Sequence, residues 1–431
     1  MNSERQPTTD SHSSTTPSAA VQSDKTGRTL VVSWHWPPTK RASTQVLATL
    51  FGSASRDDFD VLTRDMHRLN TGDSTKVPDL PTQAIEWPSG ADDDGTIRTW
   101  FASIVTAFRM WRIGRRTLRQ SSTDRVLAVY PHRYSILVGW LIARSVKKPL
   151  VVYMHDLFAE SLIARNKLKR AFWEWVDRRV MGDAALVVVP TREFAEHYQE
   201  RGVRQTWVLP HCIDDFESAQ PLPNLDRGLR LTYAGSIYQA HEDSIARLLR
   251  GAESSDGISL TFLSQPHPML AGQDVRWLDR ADALTCMADS HVLVVALGHD
   301  TPYPLEVQGC FPSKIVDYLA MGRPILAIVP PGSFVDRFVK ESGCGISVSS
   351  RDPDDIRFAI EMFRDPNRLQ ACAVAAHNET QKLDAKHWIG ELTKQLAAVD
   401  DQVATNLRFA SESIPRSRPA QFSEPRPTCD V

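Results

Sequence analysis

The richest chemistry in the chain lies in Phe311-Pro-Ser-Lys-Ile-Val-Asp-Tyr-Leu-Ala-Met-Gly-Arg-Pro-Ile-Leu-Ala327. Pro312 and Ser313 are residue types of a helix start, where a hydroxyl accepts from an orphan N–H. Ile315, Val316, Leu319 and Ala320 give an apolar face at helical spacing. Gly322 is placed to end the helix, Pro324 follows as a stop, and Ile325 to Val329 reads as a buried strand. Ser313 and Asp317 fall one turn apart on one face, with Lys314 beside them. A helix N-terminus with free N–H groups, a hydroxyl and an amine suits a diphosphate. A carboxylate one turn further in suits paired sugar hydroxyls. The plainer alternative is an ordinary helix start, with Asp317 favouring the dipole and Lys314 solvated.

Three other places put polar groups at the ends of apolar runs. Leu150–Met154 reads as a strand and leads into His155 and Asp156. Two titratable groups would then stand at the carboxyl edge of a sheet, where open α/β sheets bind ligands. A structural histidine tying down the next loop through Asp156 is the alternative. Arg230 to Tyr238 reads as a strand and a glycine turn, and Gly235 and Ser236 are small enough to admit a phosphate or sugar close to the backbone. After the strand Arg28–Ser33 come Pro37, Pro38, Thr39, Lys40 and Arg41. That loop either attracts phosphate with its two cations or is a solvated surface turn.

These stretches resemble family 4 glycosyltransferases. Residues 311–324 are similar to the donor-site motif P-S-K-x-x-(E/D)-Y-L-A-x-G-(R/K)-P. His155 to Ser161 resembles the family's H-D-x-x-x-E-S stretch, Asp183 to Thr191 its A-D-x-V-x-V-x-S strand, and Leu209 to Asp215 its I-P-N-G-V-D linker. The resemblance spans roughly residues 28–398. It implies two Rossmann-like domains facing across a cleft, the GT-B arrangement. It also implies retaining sugar transfer without an obligatory metal, and no cofactor besides the nucleotide-sugar donor as substrate. His155 and Asp156 would be catalytic, with His155 near the transferred sugar or acceptor hydroxyl. Gly235, Ser236, Ser313 and Lys314 would hold the donor diphosphate and Asp317 its ribose. Three departures stand out. The first loop lacks the glycine pair of F-P-P-x-x-G-G, with Lys40, Arg41 and Ala42 in its place; Thr39, Lys40 and Arg41 remain a phosphate or acceptor contact. The usual Arg/Lys pair after the second glycine turn is missing, with Ser236, Ile237 and Tyr238 there instead. The first acid of E-x7-E falls at Gly309, and Glu306 is out of register. Backbone N–H groups of Gly309, Cys310 and Phe311 would then hold the sugar.

The elements that must carry these residues follow from periodicity. Strand-like runs recur at Phe59–Thr63, Val126–Tyr130, Ala185–Val189, Ser259–Leu263, Val275–Leu278 and Val292–Ala296, with helical patterns between, the alternation of an α/β fold. The expected division is a disordered tail over 1–27, an acceptor-binding domain over 28–210, a nucleotide-sugar domain over 211–398 and a second disordered tail over 399–431. Residues 66–96 read as loop, and Asp92, Asp93 and Asp94 as a solvated charge run. Ile97 to Gln120 reads as one helix with Ile97, Phe101, Ile104, Phe108 and Trp111 in a stripe and Arg109, Arg112, Arg115, Arg116 and Arg119 near its end. Such a stripe is ordinarily buried. The sharper reading, for it and for Lys167–Arg179, is a basic amphipathic surface against anionic lipid.

Composition narrows the class. Of 431 residues 42% are hydrophobic and 24% charged, ordinary for a globular chain. A net charge of −2 offers no field for nucleic acid. The 6 cysteines form no C-x-x-C pair and fit a reduced cytoplasmic protein, with no metal site expected. No apolar run spans a bilayer and no secretory signal opens the chain. The resemblance implies transfer of a sugar from a nucleotide-sugar to a glycan, lipid-linked or other acceptor in cell-surface polysaccharide or glycoconjugate synthesis. A cytoplasmic location follows, with peripheral contact to the inner membrane face. A sugar-nucleotide 2-epimerase and a non-catalytic relative that binds glycan or a partner are the alternatives.

Overall fold

The computed structural model describes residues 27–412, apart from 40, 66–76, 89–96, 159–166, 215, 217–219 and 254. The expectations for residues 1–26 and 413–431 of the tails, Lys40, Asp92 to Asp94, Glu160 and Ser161 fall outside the described residues.

The first domain runs β1 (Arg28–Ser33), α1 (Ala42–Phe51), β2 (Phe59–Arg64), β3 (Thr82–Ile85), α2 (Ile97–Gln120) and β4 (Thr123–Val129). It continues through α3 (Arg133–Val146), β5 (Leu150–Tyr153), α4 (Lys167–Asp183), β6 (Leu186–Val189), α5 (Arg192–Glu200) and β7 (Thr206–Val208). Among the described residues its parallel sheet has the order β3-β2-β1-β4-β5-β6-β7. The central strands are unbroken Leu/Val runs such as Leu-Val-Val-Tyr and Leu-Val-Val-Val, every residue buried. Helices therefore have to cover both faces.

The second domain runs β8 (Leu229–Ala234), α6 (Glu242–Glu253), β9 (Ile258–Leu263), β10 (Asp274–Arg276), α7 (Arg280–Ala288), β11 (Val292–Ala296) and α8 (Pro304–Gly309). Then come α9 (Lys314–Ala320), β12 (Ile325–Ile328), α10 (Phe334–Ser342), β13 (Gly345–Val348), α11 (Pro353–Met362), α12 (Pro366–Thr380) and α13 (Ala385–Glu412). Its sheet, also parallel, has the order β10-β9-β8-β11-β12-β13. Both orders reverse direction beside the first strand of the domain, which opens a crevice at the carboxyl edge. The α/β, two-Rossmann expectation is what the structure shows.

Three expectations need correcting. The stretch read as loop holds β3, whose Thr82, Gln83 and Ala84 are exposed; only Ile85 is buried, so an edge strand left no periodic signal. The second correction is the domain end, expected at 398. Ile213 N–H donates to the Leu383 carbonyl at 2.8 Å and Ala385 N–H to the Ile213 carbonyl at 2.9 Å, so the chain crosses between domains twice, side by side. Helix α13 then packs Ala385, Ile389, Leu392, Leu396 and Val399 against Val31, Leu47 and Leu127 of the first domain. Buried Arg125 of β4 pairs with Asp400 at 2.8 Å. The helix continues to Glu412, where a disordered tail was expected. Periodicity reveals an amphipathic helix but not which sheet it covers.

The third correction concerns α2. Its aromatic stripe is not core: Phe101 is 58% exposed and Phe108 54%. The helix instead turns Ala102, Ser103, Thr106, Met110 and Leu118 inward. Small residues let it lie close to its neighbours, and the bulky side chains are left outside.

If α13 belongs to the first domain, Leu392→Ala should destabilise that domain by about 2–5 kcal/mol, the usual range for a buried Leu. Hydrogen exchange should then quicken in α1 and β4, while the second sheet stays protected. Faster exchange confined to β11 and β12 would place the helix with the other domain.

Candidate active site

The carboxyl edges of the two sheets meet at a small set of interdomain contacts. Thr191, just after β6, caps α5 by accepting from Phe194 N–H and donates its own hydroxyl to the Gly309 carbonyl at 2.7 Å. Phe194 lies so close to Gly309 that a Cβ there would stand 2.6 Å from the ring. Glu193 pairs with Arg337 across the boundary. The His211 ring packs on Phe311 at 5.3 Å. Gly309 thus serves domain contact, because only a glycine admits Phe194.

His155 follows β5 at this edge, as its apolar strand dictates. It is buried, stacks between Tyr153 at 4.3 Å and His211 at 5.9 Å, and neither ring nitrogen has a hydrogen-bond partner among the described residues. Burial, and then the neighbouring His211, hold it neutral far below the usual histidine range. A neutral imidazole carries one N–H donor and one acceptor. Leaving both unused in a buried place is costly, so a ligand hydroxyl is the natural partner. Asp156 shows no tie to His155; burial raises it to about 6. Its charge is felt by Tyr238 and Cys310, which puts the carboxyl beside the second domain.

Opposite stands the turn after β8. Gly235 has φ +120°, a conformation that favours glycine, and a Cβ there would lie 3.3 Å from Lys314 Nζ. Lys314 Nζ also sits over the Tyr233 ring, 4.0 Å from its centroid. Burial lowers this amine to about 7, and its charge helps depress His241, whose largest cause is burial, to about 3. The Ser236 carbonyl accepts from the Tyr233 hydroxyl at 3.2 Å, which fixes the turn while the Ser236 side chain stays exposed. Lys314 and Gly235, distant in sequence, are brought together as expected.

Other expected residues behave differently. Ser313 is itself helical and makes no capping bond, so it cannot satisfy the first N–H of α9. The Cys310 N–H donates to the Glu306 carbonyl at 2.8 Å and is not available to a sugar. Phe311 is buried and packs on Phe334 at 5.0 Å. Asp317 receives both arms of the Arg280 guanidinium, at 2.8 and 3.2 Å. Such a carboxylate keeps lone pairs for ribose hydroxyls, but it arrives as an ion pair. Thr39 is buried in the first loop, its carbonyl accepting from the Arg41 N–H at 2.9 Å, and Arg41 is exposed at the start of α1.

Sequence reasoning missed Arg280, which reaches Asp317 only through the fold. It set Glu306 aside for its register, yet this carboxylate lies in α8 near Tyr238 and Cys310, whose ionisation it disfavours. Arg323, within the motif itself, is a buried clamp: its guanidinium donates to the carbonyls of Gln220, Pro221, Ala288 and Met321. That explains a planar multidentate cation there in physical terms.

Residues 52–211 match the family model of a glycosyl transferase 4-like domain. A search of curated proteins finds no match. Among solved structures, sucrose-phosphate synthase from Thermosynechococcus elongatus is 16% identical over 86% of this chain and 99% of its own, with a TM-score of 0.63. HepE from Anabaena, in complex with UDP and glucose, is 12% identical over 86% of this chain and 100% of its own, with a TM-score of 0.62. Trehalose-6-phosphate synthase from E. coli bound with UDP-2-fluoro glucose is 12% identical over 86% of this chain and 99% of its own, with a TM-score of 0.57. These likenesses establish the GT-B fold. Among the described residues no helix is long and apolar enough to cross a membrane, and no group of acids, histidines or cysteines is arranged to hold a metal ion.

Two outcomes are expected. Lys314→Met should weaken nucleotide-sugar binding about 10- to 100-fold, the scale of a lost charged hydrogen bond, without lowering the melting temperature. Unchanged affinity by calorimetry would remove Lys314 from the donor site. The second concerns pH. His35, His132, His155, His211 and His241 are all held below the ordinary histidine value by burial first. The unfolded chain binds protons there that the fold refuses, so stability is full above about 6.5 and falls as pH drops below it. Each such histidine costs about 1.4 kcal/mol per pH unit in that window. Burial lowers His291 and His299 too, and raises Asp156 to about 6, so Asp156 acts with the opposite sign between its unfolded value and that point, one group against seven histidines. Urea midpoints equal at pH 5.5 and 7.5 would contradict this.

Proposed function

We propose that this chain transfers a sugar from a nucleotide-sugar held by the second domain to an acceptor hydroxyl held by the first. One observation carries the reading: Cys310 of the second domain feels both the Asp156 carboxyl, next to the unpartnered His155 ring of the first, and the Lys314 amine beside Gly235. The donor diphosphate lies at the Gly235 turn, neutralised by Lys314, whose amine regains its charge beside phosphate. Stabilising the leaving diphosphate is the main catalytic contribution of such a fixed cation. Asp317, oriented by Arg280, takes the ribose. Glu306 supplies the carboxylate for sugar hydroxyls that Gly309 lacks. His155 positions the acceptor hydroxyl through its neutral ring. The bound UDP-sugars named for the structural neighbours make uridine diphosphate sugars the donors to try first.

The family resemblance supports retention of anomeric configuration and transfer without metal. The acceptor is a glycan or lipid-linked molecule of polysaccharide or glycoconjugate synthesis. The protein works peripherally at the cytoplasmic membrane face. Trp100, Phe101 and Phe108 of α2 and Phe172 and Trp175 of α4, all exposed, support this last point together with the arginines of both helices.

The test is release of nucleoside diphosphate coupled to sugar transfer across a panel of nucleotide-sugars, in EDTA. Turnover should persist in the chelator, and no turnover with any donor would sink the enzyme reading. His155→Ala and Glu306→Gln should each lower kcat about 100-fold, the scale for a positioned polar group, with nearly unchanged melting. A normal kcat in both would put the chemistry elsewhere in the cleft.

A further inference from the structure

Helices α2 and α3 pack side by side. Gly114 lies against Ile142, where a Cβ would collide with the Ile142 side chain, so the helices meet there. Between them runs a groove of about 630 Å³, lined by Ala107, Phe108 and Trp111 on one side and Tyr134, Leu137 and Leu141 on the other. From Tyr134 to Ser145 it follows α3 for roughly 16 Å at 1.5 Å per residue, the length of about twelve methylenes. Its outer rim is the exposed aromatic face of α2.

At the cleft end the groove meets a polar cluster. Tyr134 stacks on Trp34 at 5.2 Å and on His132 at 5.7 Å. The Arg64 guanidinium lies 4.4 Å from the Trp87 ring and 5.5 Å from Trp34, with its Nη2 3.4 Å from His35 Nε2. His132 is half-buried, and its Nδ1, shut off from solvent, has no hydrogen-bond partner among the described residues. The charged neighbours felt there are Arg64, Arg41 and Arg133. Arg64, His35 and His132 stand at the carboxyl ends of β2, β1 and β4, three adjacent strands of the acceptor domain. An apolar channel bounded by Tyr134, behind which stand the unpartnered Nδ1 of His132 and the Arg64 guanidinium, fits one chemistry: a long hydrocarbon chain bearing a phosphate.

We infer that the α2–α3 groove holds the hydrocarbon chain of a lipid phosphate or diphosphate, its head at His132 and Arg64, and that this lipid carries the acceptor sugar. The inference rests on the glycosyl-transfer reading for the role of the lipid, but not for its binding. The exposed face of α2 lies against the bilayer, and the chain enters the groove from it. The lipid head is thereby presented on the same sheet edge as His155.

Calorimetry on the full chain, without membranes or donor, tests this with dodecyl phosphate below its micelle concentration. Ethyl phosphate supplies the head alone, and tetraethylene glycol monododecyl ether the chain alone. Dodecyl phosphate should bind one to one, at least tenfold tighter than either. Ala107→Trp fills the groove and Leu141→Glu places a like charge at its exposed rim; each should weaken dodecyl phosphate at least tenfold and leave UDP-glucose affinity unchanged. Leu141 is on the surface, so its variant serves even if the tryptophan does not fold. Equal binding of the neutral ether, or undiminished affinity in Leu141→Glu, overturns the inference. Loss of groove binding beside intact transfer to a water-soluble acceptor overturns it alone. Groove binding in a protein that turns over no nucleotide-sugar overturns only the transferase reading.

Discussion

The contact between Thr191 and Gly309 is the constraint on which the cleft depends. One hydroxyl caps α5 and, at 2.7 Å, bonds the last carbonyl of α8 in the other domain. Phe194, positioned by that cap, presses on Gly309 where no Cβ fits. The two sheets are thus held edge to edge at one spot while the crevice remains open beside it. Replacing Gly309 by a carboxylate residue would regain an acid in the usual register but force Phe194 aside. Glu306, one turn earlier on α8, supplies a carboxylate without that collision. The missing acid and the tight domain contact are two sides of one packing arrangement.

The electrostatics follow from how much of the edge is dry. Burial leaves His155 and His211 neutral and brings Lys314 near neutrality while raising Asp156 to about 6. Groups that would be charged in water are kept close to their neutral forms. On the proposed reading, a diphosphate arriving beside Lys314 restores its charge where the dielectric is low, so the interaction is stronger than at a surface. The two nitrogens of His155, buried without partners among the described residues, are the clearest unmet bonding capacity at this edge.

Much of this was legible in the sequence because parallel sheets are written plainly. Buried Leu/Val runs marked the strands, and a polar pair after such a run marked a carboxyl edge. His155, Gly235 and Lys314 stand where that logic puts them. What was not legible depended on packing in three dimensions. Arg280 reaches Asp317 across 37 positions of chain. Ser313 is helical and so cannot cap. Periodicity showed the amphipathic character of α2 and α13 but not which face each buries: α13 crosses back to the first sheet, and α2 leaves its aromatic side outside. Arg323 looked like part of a ligand motif and proved to hold the linker at Gln220 and Pro221.

The most direct test of the central claim is a crystal structure of the protein soaked with UDP-glucose or its unreactive 2-fluoro analogue. The account predicts the diphosphate at the Gly235 turn within hydrogen-bonding distance of Lys314 Nζ, the ribose at Asp317, and the anomeric carbon turned across the cleft towards His155. Density for the nucleotide on the first domain's sheet edge, or with its diphosphate away from Lys314, would contradict it.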